Sequence, residues 1–295
     1  MGFNISHQAS PSRAVSSQRD SPVQGLGPRS ALVLAGRRSA DDPLAAAANA
    51  PHRALLDIEG EPMLARVVRR LLGWPSIERV LINIDAPALL EEDSTFKSWL
   101  DRGQIEIMRS TDSPSHSVLE GLDRAGLDEG PILVTTADHA LLDDGMLSSF
   151  FEASEASHED LSLALVPRRV IQKRFPEAQR TYLRFKNEAY SGANLFYFKT
   201  AKAREAALFW RRVESQRKQP WRIARAFGLT NLALFLTRRL DLESAFQRVS
   251  RVLGIQVRAI ELTQAEAAVD VDKLADLLLV REILAERRPS GDLTR

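Results

Sequence analysis

The chain contains no cysteine. That absence excludes disulfides, thiolate zinc sites and cysteine nucleophiles together, and it fits a reducing compartment. Histidine is nearly as scarce. His7, His52, His116, His139 and His158 stand singly, without the spacing of a zinc site. A metal site in this chain is therefore made of carboxylates, which selects Mg2+ or Mn2+. An excess of one charge is missing too: 40 Lys and Arg stand against 39 Asp and Glu, a net +1. No global basic field argues for nucleic acid as a partner. No run approaches the ~20 apolar residues of a membrane span, and the first thirty residues lack the apolar stretch of a secretory signal. The expectation is a cytoplasmic protein without a transmembrane segment. The opening Met1-Gly2-Phe3-Asn4-Ile5-Ser6 fits a myristoylation pattern. Residues 1–30, rich in Ser, Arg and Gln, read more simply as a disordered tail.

What is present is an ordinary globular composition, 44% hydrophobic and 27% charged over 295 residues, enough to bury a full core. Ala31-Leu32-Val33-Leu34-Ala35-Gly36 is a short continuous apolar run, the pattern of a strand buried on both faces. Pro62 opens a helix in which Met63, Leu64, Val67, Val68, Leu71 and Leu72 recur at helical spacing, closed by Gly73-Trp74-Pro75. Strands are expected at Arg79–Ile84, Ile105–Met108, Pro131–Thr136 and Leu161–Val166, with helices at Ser117–Ala125 and from about Asp143 to Ser157. This alternation predicts a mostly parallel sheet flanked by helices. Later come strands at Tyr182–Lys186, Ala193–Phe198 and Ile255–Leu262, and a closing helix at Asp272–Glu286. Residues 31–290 form one expected domain, with an Arg-rich helical insertion at about 200–253.

In such sheets ligands bind beyond the carboxyl ends of the strands. Gly36 with Arg37 and Arg38 stands at one such edge, and a glycine beside guanidinium groups suits phosphate oxygens. Asp138 follows the strand ending Thr135-Thr136-Ala137, where an Asp serves either a cation or a turn. Val269-Asp270-Val271-Asp272 precedes the last helix. Asp272 has the position of an N-cap, and Asp270, two residues earlier on extended chain, shares its side. Two close carboxylates repel unless a cation or a proton lies between them, so the pair is a candidate metal site.

Taken in order, these segments resemble the nucleotidyltransferases related to molybdenum cofactor guanylyltransferase and methylerythritol phosphate cytidylyltransferase. Leu32-Val33-Leu34-Ala35-Gly36 with Arg37 and Arg38 is similar to their opening triphosphate loop. Pro51 to Leu64, Ser117-Val118-Leu119-Glu120-Gly121-Leu122, Asp138 and Asp270-Val271-Asp272 are similar to later segments of the family. Two features depart from the pattern: the loop has fewer glycines, and Arg53 stands where the family has Lys. Arg presents a planar fork in place of a compact ammonium.

The resemblance implies a Rossmann-like fold akin to GT-A glycosyltransferases and transfer of a nucleoside monophosphate from a triphosphate with loss of pyrophosphate. It implies catalytic roles for Arg37, Arg38 and Arg53, and nucleotide contacts from Ala35, Gly36, Ser117, Gly192 and Asn194. Mg2+ (or Mn2+) would be held by Asp138, Asp270 and Asp272. CTP is the first expected substrate and GTP the second, with a small phosphorylated acceptor, a lipid head-group precursor among the candidates. A GT-A-type glycosyltransferase and a non-catalytic nucleotide-binding protein are the competing readings. Trp210-Arg211-Arg212 and Trp221 leave two readings open: a basic face for peripheral membrane contact, or a solvated helix with its tryptophans in the core.

Overall fold

A computed structural model describes residues 27–37, 42–111, 113–214, 228, 233, 234 and 236–287. Strand β1 (Ser30–Leu34) is followed by α1 (Pro43–Ala47), the short pair β2 (Asp57–Ile58) and β3 (Glu61–Pro62), and α2 (Met63–Leu72). Next come β4 (Arg79–Ile84), α3 (Ala88–Glu91), α4 (Ser94–Asp101), β5 (Ile105–Arg109), α5 (Pro114–Ala125), β6 (Ile132–Thr136) and α6 (Asp144–Glu155). The later part holds β7 (Leu161–Pro167), α7 (Arg168–Arg174), β8 (Leu183–Arg184), β9 (Ala189–Phe198), α8 (Arg204–Glu214), α9 (Leu242–Leu253), β10 (Val257–Glu261) and α10 (Leu274–Glu286). The central sheet runs β10-β7-β9-β6-β1-β4-β5, with β8 added to β9.

Its pairings are parallel except those of β9, which runs antiparallel to β6, β7 and β8. The carboxyl ends of β1, β4, β5 and β6 therefore share one edge. Period-two alternation sends Ala31 and Val33 of β1 to one face, against α2, α4 and α6, and Leu32 to the other, against α5. A third apolar cluster joins Leu44 of α1 and Leu277, Val280 and Ile283 of α10 to Val269 and Val271, both fully buried. With these valines committed to the core, Asp270 and Asp272 are presented on the opposite side of the extended segment.

Four expectations are corrected. Ser30, assigned to the tail, opens β1. Pro62 is the N-cap of α2 rather than its first helical residue, and Asp272 is not the cap of α10, since Lys273 holds that position. The strand expected from Ala193 begins earlier, at Ala189, so Ser191 to Asn194 lie inside β9. There the ladder with β7 shifts, Gly192 to Phe196 lying opposite Leu165 to Leu163, and Asn194 takes φ 48. Such a bulge re-aims a side chain, and Asn is among the few residues that tolerate this conformation.

Candidate active site at the sheet edge

Asp138 follows β6 and is half-buried. Burial pushes its carboxyl up and neighbouring Asp272 adds to this, against the hydroxyl of Thr136, which donates to Oδ1, and nearby Arg53. The late segment is fastened directly to it: the Val271 amide donates to the Asp138 carbonyl at 3.2 Å. Asp270 is likewise half-buried, with its Oδ1 out of solvent, and its carboxyl is pushed well above the carboxylate range by burial and then by Asp138. Arg180 and the side chain of Asn194 oppose that shift. Oδ1 of Asp270 has no hydrogen-bond partner. Asp272 is the exposed member, its carboxylate facing Arg53 Nη1 at 3.3 Å while Nη2 donates to its carbonyl at 3.1 Å.

Arg53 opens a short 3-10 turn, Arg53–Leu55, and also pairs through Nε with Asp42 Oδ2 at 2.7 Å. Its guanidinium thus bridges the carboxylate capping α1 and the acid preceding α10. For Asp42, burial is outweighed by the Ala45 amide and Arg53, and its carboxyl lies below the usual range. His52, the preceding residue, is 1% exposed. Its Nδ1 accepts from the Ala54 amide at 3.0 Å, so the proton sits on Nε2, which donates to Asp85 Oδ1 at 3.0 Å. Asp85 also accepts from the Arg37 amide at 3.0 Å and from Arg37 Nε at 2.8 Å. Burial raises its carboxyl, but the hydrogen bonds from His52 and Arg37 prevail and hold it at about 2.

Of the residues singled out in the sequence, the structure joins Arg53, Asp138, Asp270, Asp272 and Asn194 through these contacts. Arg37 lies in the adjoining Asp85 cluster. The Ala35 amide donates to the Asn83 carbonyl at 2.8 Å, and a Cβ on Gly36 would stand 3.2 Å from Ser110 Oγ. Ser117 is buried, with Oγ accepting from the Thr111 amide at 2.9 Å, and so supports the loop before α5. Gly192 is exposed on β9. Arg38 and Trp221 lie outside the described residues, and Trp210 on α8 is 42% exposed rather than core. Among the described residues, no group of three or more His, Asp or Glu side chains is gathered to hold a metal ion.

Sequence reasoning misses Asp85, Arg180 and Asp276. Asp85 carries the signal that found Asp138, an acid directly after an apolar strand, here β4. Arg180 lies between elements, and only the fold gives it meaning.

The model of the MobA-like NTP transferase domain matches residues 31–216. The chain belongs to the MobA-like NTP transferase family. The fold is shared with solved structures. A hypothetical transferase from Thermus thermophilus is 28% identical with a TM-score of 0.67, over 84% of this chain and 98% of that one. CMP:2-keto-3-deoxy-manno-octonic acid synthetase, solved in complex with CTP, is 14% identical with a TM-score of 0.53, over 88% and 100%. 4-Diphosphocytidyl-2C-methyl-D-erythritol synthase from Anaerococcus prevotii is 10% identical with a TM-score of 0.51, over 87% and 95%. No curated protein matches the sequence. This MobA-like chain is thus an enzyme of the nucleotidyltransferase class with the family's Rossmann-like sheet. Among the described residues no helix is long and apolar enough to cross a membrane. The match stops short of Asp270, which the Val271–Asp138 hydrogen bond brings back to the MobA-like sheet edge.

Proposed function

We propose that the protein transfers CMP, with GMP the second choice, from the nucleoside triphosphate to a small phosphorylated acceptor in the cytoplasm, using Mg2+. The observation that carries this reading is the stitching of two half-buried carboxylates, Asp138 and Asp270, at the carboxyl edge of the sheet beside two arginines. Asp270 Oδ1 lacks a partner, and two repelling half-buried acids are a donor set that a divalent cation neutralises. Mg2+ takes one or two carboxylates and completes its shell with water and substrate phosphates, so Asp138 and Asp270 suffice. Asp272 is engaged by Arg53. A bound Mg2+ supplies charge neutralisation on the triphosphate.

The chain's own residues do the rest by position and charge. Arg37 and Arg53 face the polyphosphate, exchanging part of their pairing with Asp85 and Asp42 for phosphate oxygens. The Ala35-Gly36 backbone lets the chain pass close to the nucleotide, with Gly192 and Asn194 on the acceptor side. An acceptor phosphate oxygen attacks the α-phosphorus, the bond to the bridging oxygen breaks, and pyrophosphate leaves. No protein nucleophile is needed, in keeping with a cysteine-free chain.

Thermal-shift assays with Mg2+ and each of the four ribonucleoside triphosphates test the reading. Stabilisation by CTP above the others, with pyrophosphate released once acceptor is added, is the expected result. Stabilisation only by a nucleotide sugar points to the glycosyltransferase, and no response to any nucleotide sinks the proposal. Asp138→Ala folds and releases no pyrophosphate; undiminished release would remove Asp138 from the site.

A further inference from the structure

The acids of the late segment are held by an ion pair that is itself almost wholly buried. Arg180 and Asp276 have side chains 9% and 6% exposed, with Nη2 of the arginine 3.1 Å from Oδ1 of the aspartate. Buried ion pairs add little net stability compared with apolar residues of the same volume, so their value lies in geometry. Each partner here reaches the acid-bearing backbone. Asp276 Oδ2 accepts from the amides of Asp272 at 3.2 Å and Lys273 at 3.0 Å. Arg180 Nη1 donates to the Asp270 carbonyl at 3.4 Å. With the Val271 amide on Asp138 and the Asp272 carbonyl on Arg53, every residue from 270 to 273 has a backbone group tied down.

We infer that Arg180 and Asp276 are positioning residues: they lock the backbone of Asp270–Lys273 so that the Asp270 carboxylate faces Asp138 at the cation site. The inference rests on the proposed metal-dependent transfer for its functional half, and its structural half is read without nucleotide. Residues that orient metal ligands typically change metal affinity or activity by about 10–100-fold when removed. An ion pair that served only to fill space would leave both unchanged.

The experiment uses the full chain carrying Arg180→Met, and Arg180→Lys as a milder variant that keeps the charge without the fork. Hydrogen exchange at the amides of residues 271–273 is measured without ligand, and Mn2+ binding is titrated in the presence of CTP. For Arg180→Met the expected results are at least tenfold faster exchange confined to this segment and about tenfold weaker Mn2+ binding. Turnover falls while the KM for nucleotide stays within twofold. Arg180→Lys recovers part of each effect. A folded Arg180→Met protein with wild-type exchange and wild-type Mn2+ affinity overturns the inference, and should that variant fail to fold, unchanged exchange and Mn2+ affinity in Arg180→Lys do the same. Failure of the wild type to bind Mn2+ or release pyrophosphate would sink the proposed function instead, leaving the exchange result to judge the backbone lock by itself.

Discussion

Asp270 has a half-buried carboxylate beside a second one, and its Oδ1 has no partner. A group in that position destabilises the fold while it is charged. Asp270→Asn removes the charge at nearly constant shape. The expected outcome is a gain of about 1 kcal/mol in unfolding free energy in the absence of metal, the usual size for relieving a strained functional group, with pyrophosphate release reduced at least 100-fold. Denaturant titration and a release assay on the same preparation read the two numbers. Loss of stability would mean that the asparagine cannot keep the contact with Asn194. Asp138 can be picked out in the sequence because it follows an apolar strand at the sheet edge, and Asp270 because it stands two residues from Asp272 on extended chain, where two acids share a side. Asp276 cannot, because inside a helical stretch a partly paired acid and a solvated one look alike until burial is known.

Among the elements, the helix–strand contact of α5 with β1 shows how closely the site's scaffold is packed. A Cβ on Gly121 would lie 2.5 Å from Leu32 Cδ2, and Leu32 is fully buried in the strand leading to the Gly36 loop. Gly121→Ala therefore overpacks the interface and is expected to destabilise the protein by about 1–3 kcal/mol, read as a lower urea midpoint at unchanged slope. An unchanged midpoint would show that Leu32 re-seats freely. The limits of β4 and the core of α2 are legible from alternation and 3.6-residue spacing, because each meets the core with one continuous apolar pattern. The direction of β9 is not. Its pairing is fixed by neighbours far away in sequence, and the Gly192–Asn194 stretch at its bulge has the composition of a turn.

For the whole molecule, acid sensitivity follows from the clamp that ties three chain segments together at Asp85. Its carboxyl lies at about 2 in the folded protein, below the ordinary carboxylate value near 3.9. A depressed carboxylate contributes its full stability above the unfolded value and loses it as pH falls towards the folded one. Asp85→Asn should thus lower stability by about 1–2 kcal/mol at pH 7, and the gap to wild type should close between pH 4 and 2. Urea unfolding across that range checks it, and a gap independent of pH would assign the effect to packing. The parallel α/β architecture is legible at this scale because alternating apolar segments leave few alternatives. The clamp is not, since His52, Arg37 and Asp85 are united only by the sheet.

The hydrogen bond between Val271 and Asp138 also has a consequence in time. It joins residues roughly 130 positions apart, and contacts that distant form late because the intervening loop must close first. During synthesis the chain emerges amino-terminus first, so β1, β4, β5 and β6 with their arginines are exposed to the cell before Asp270 is made. A nascent or truncated chain at that stage carries one acid of the pair, and under the proposed chemistry it stays inert towards nucleotide until the last helix docks.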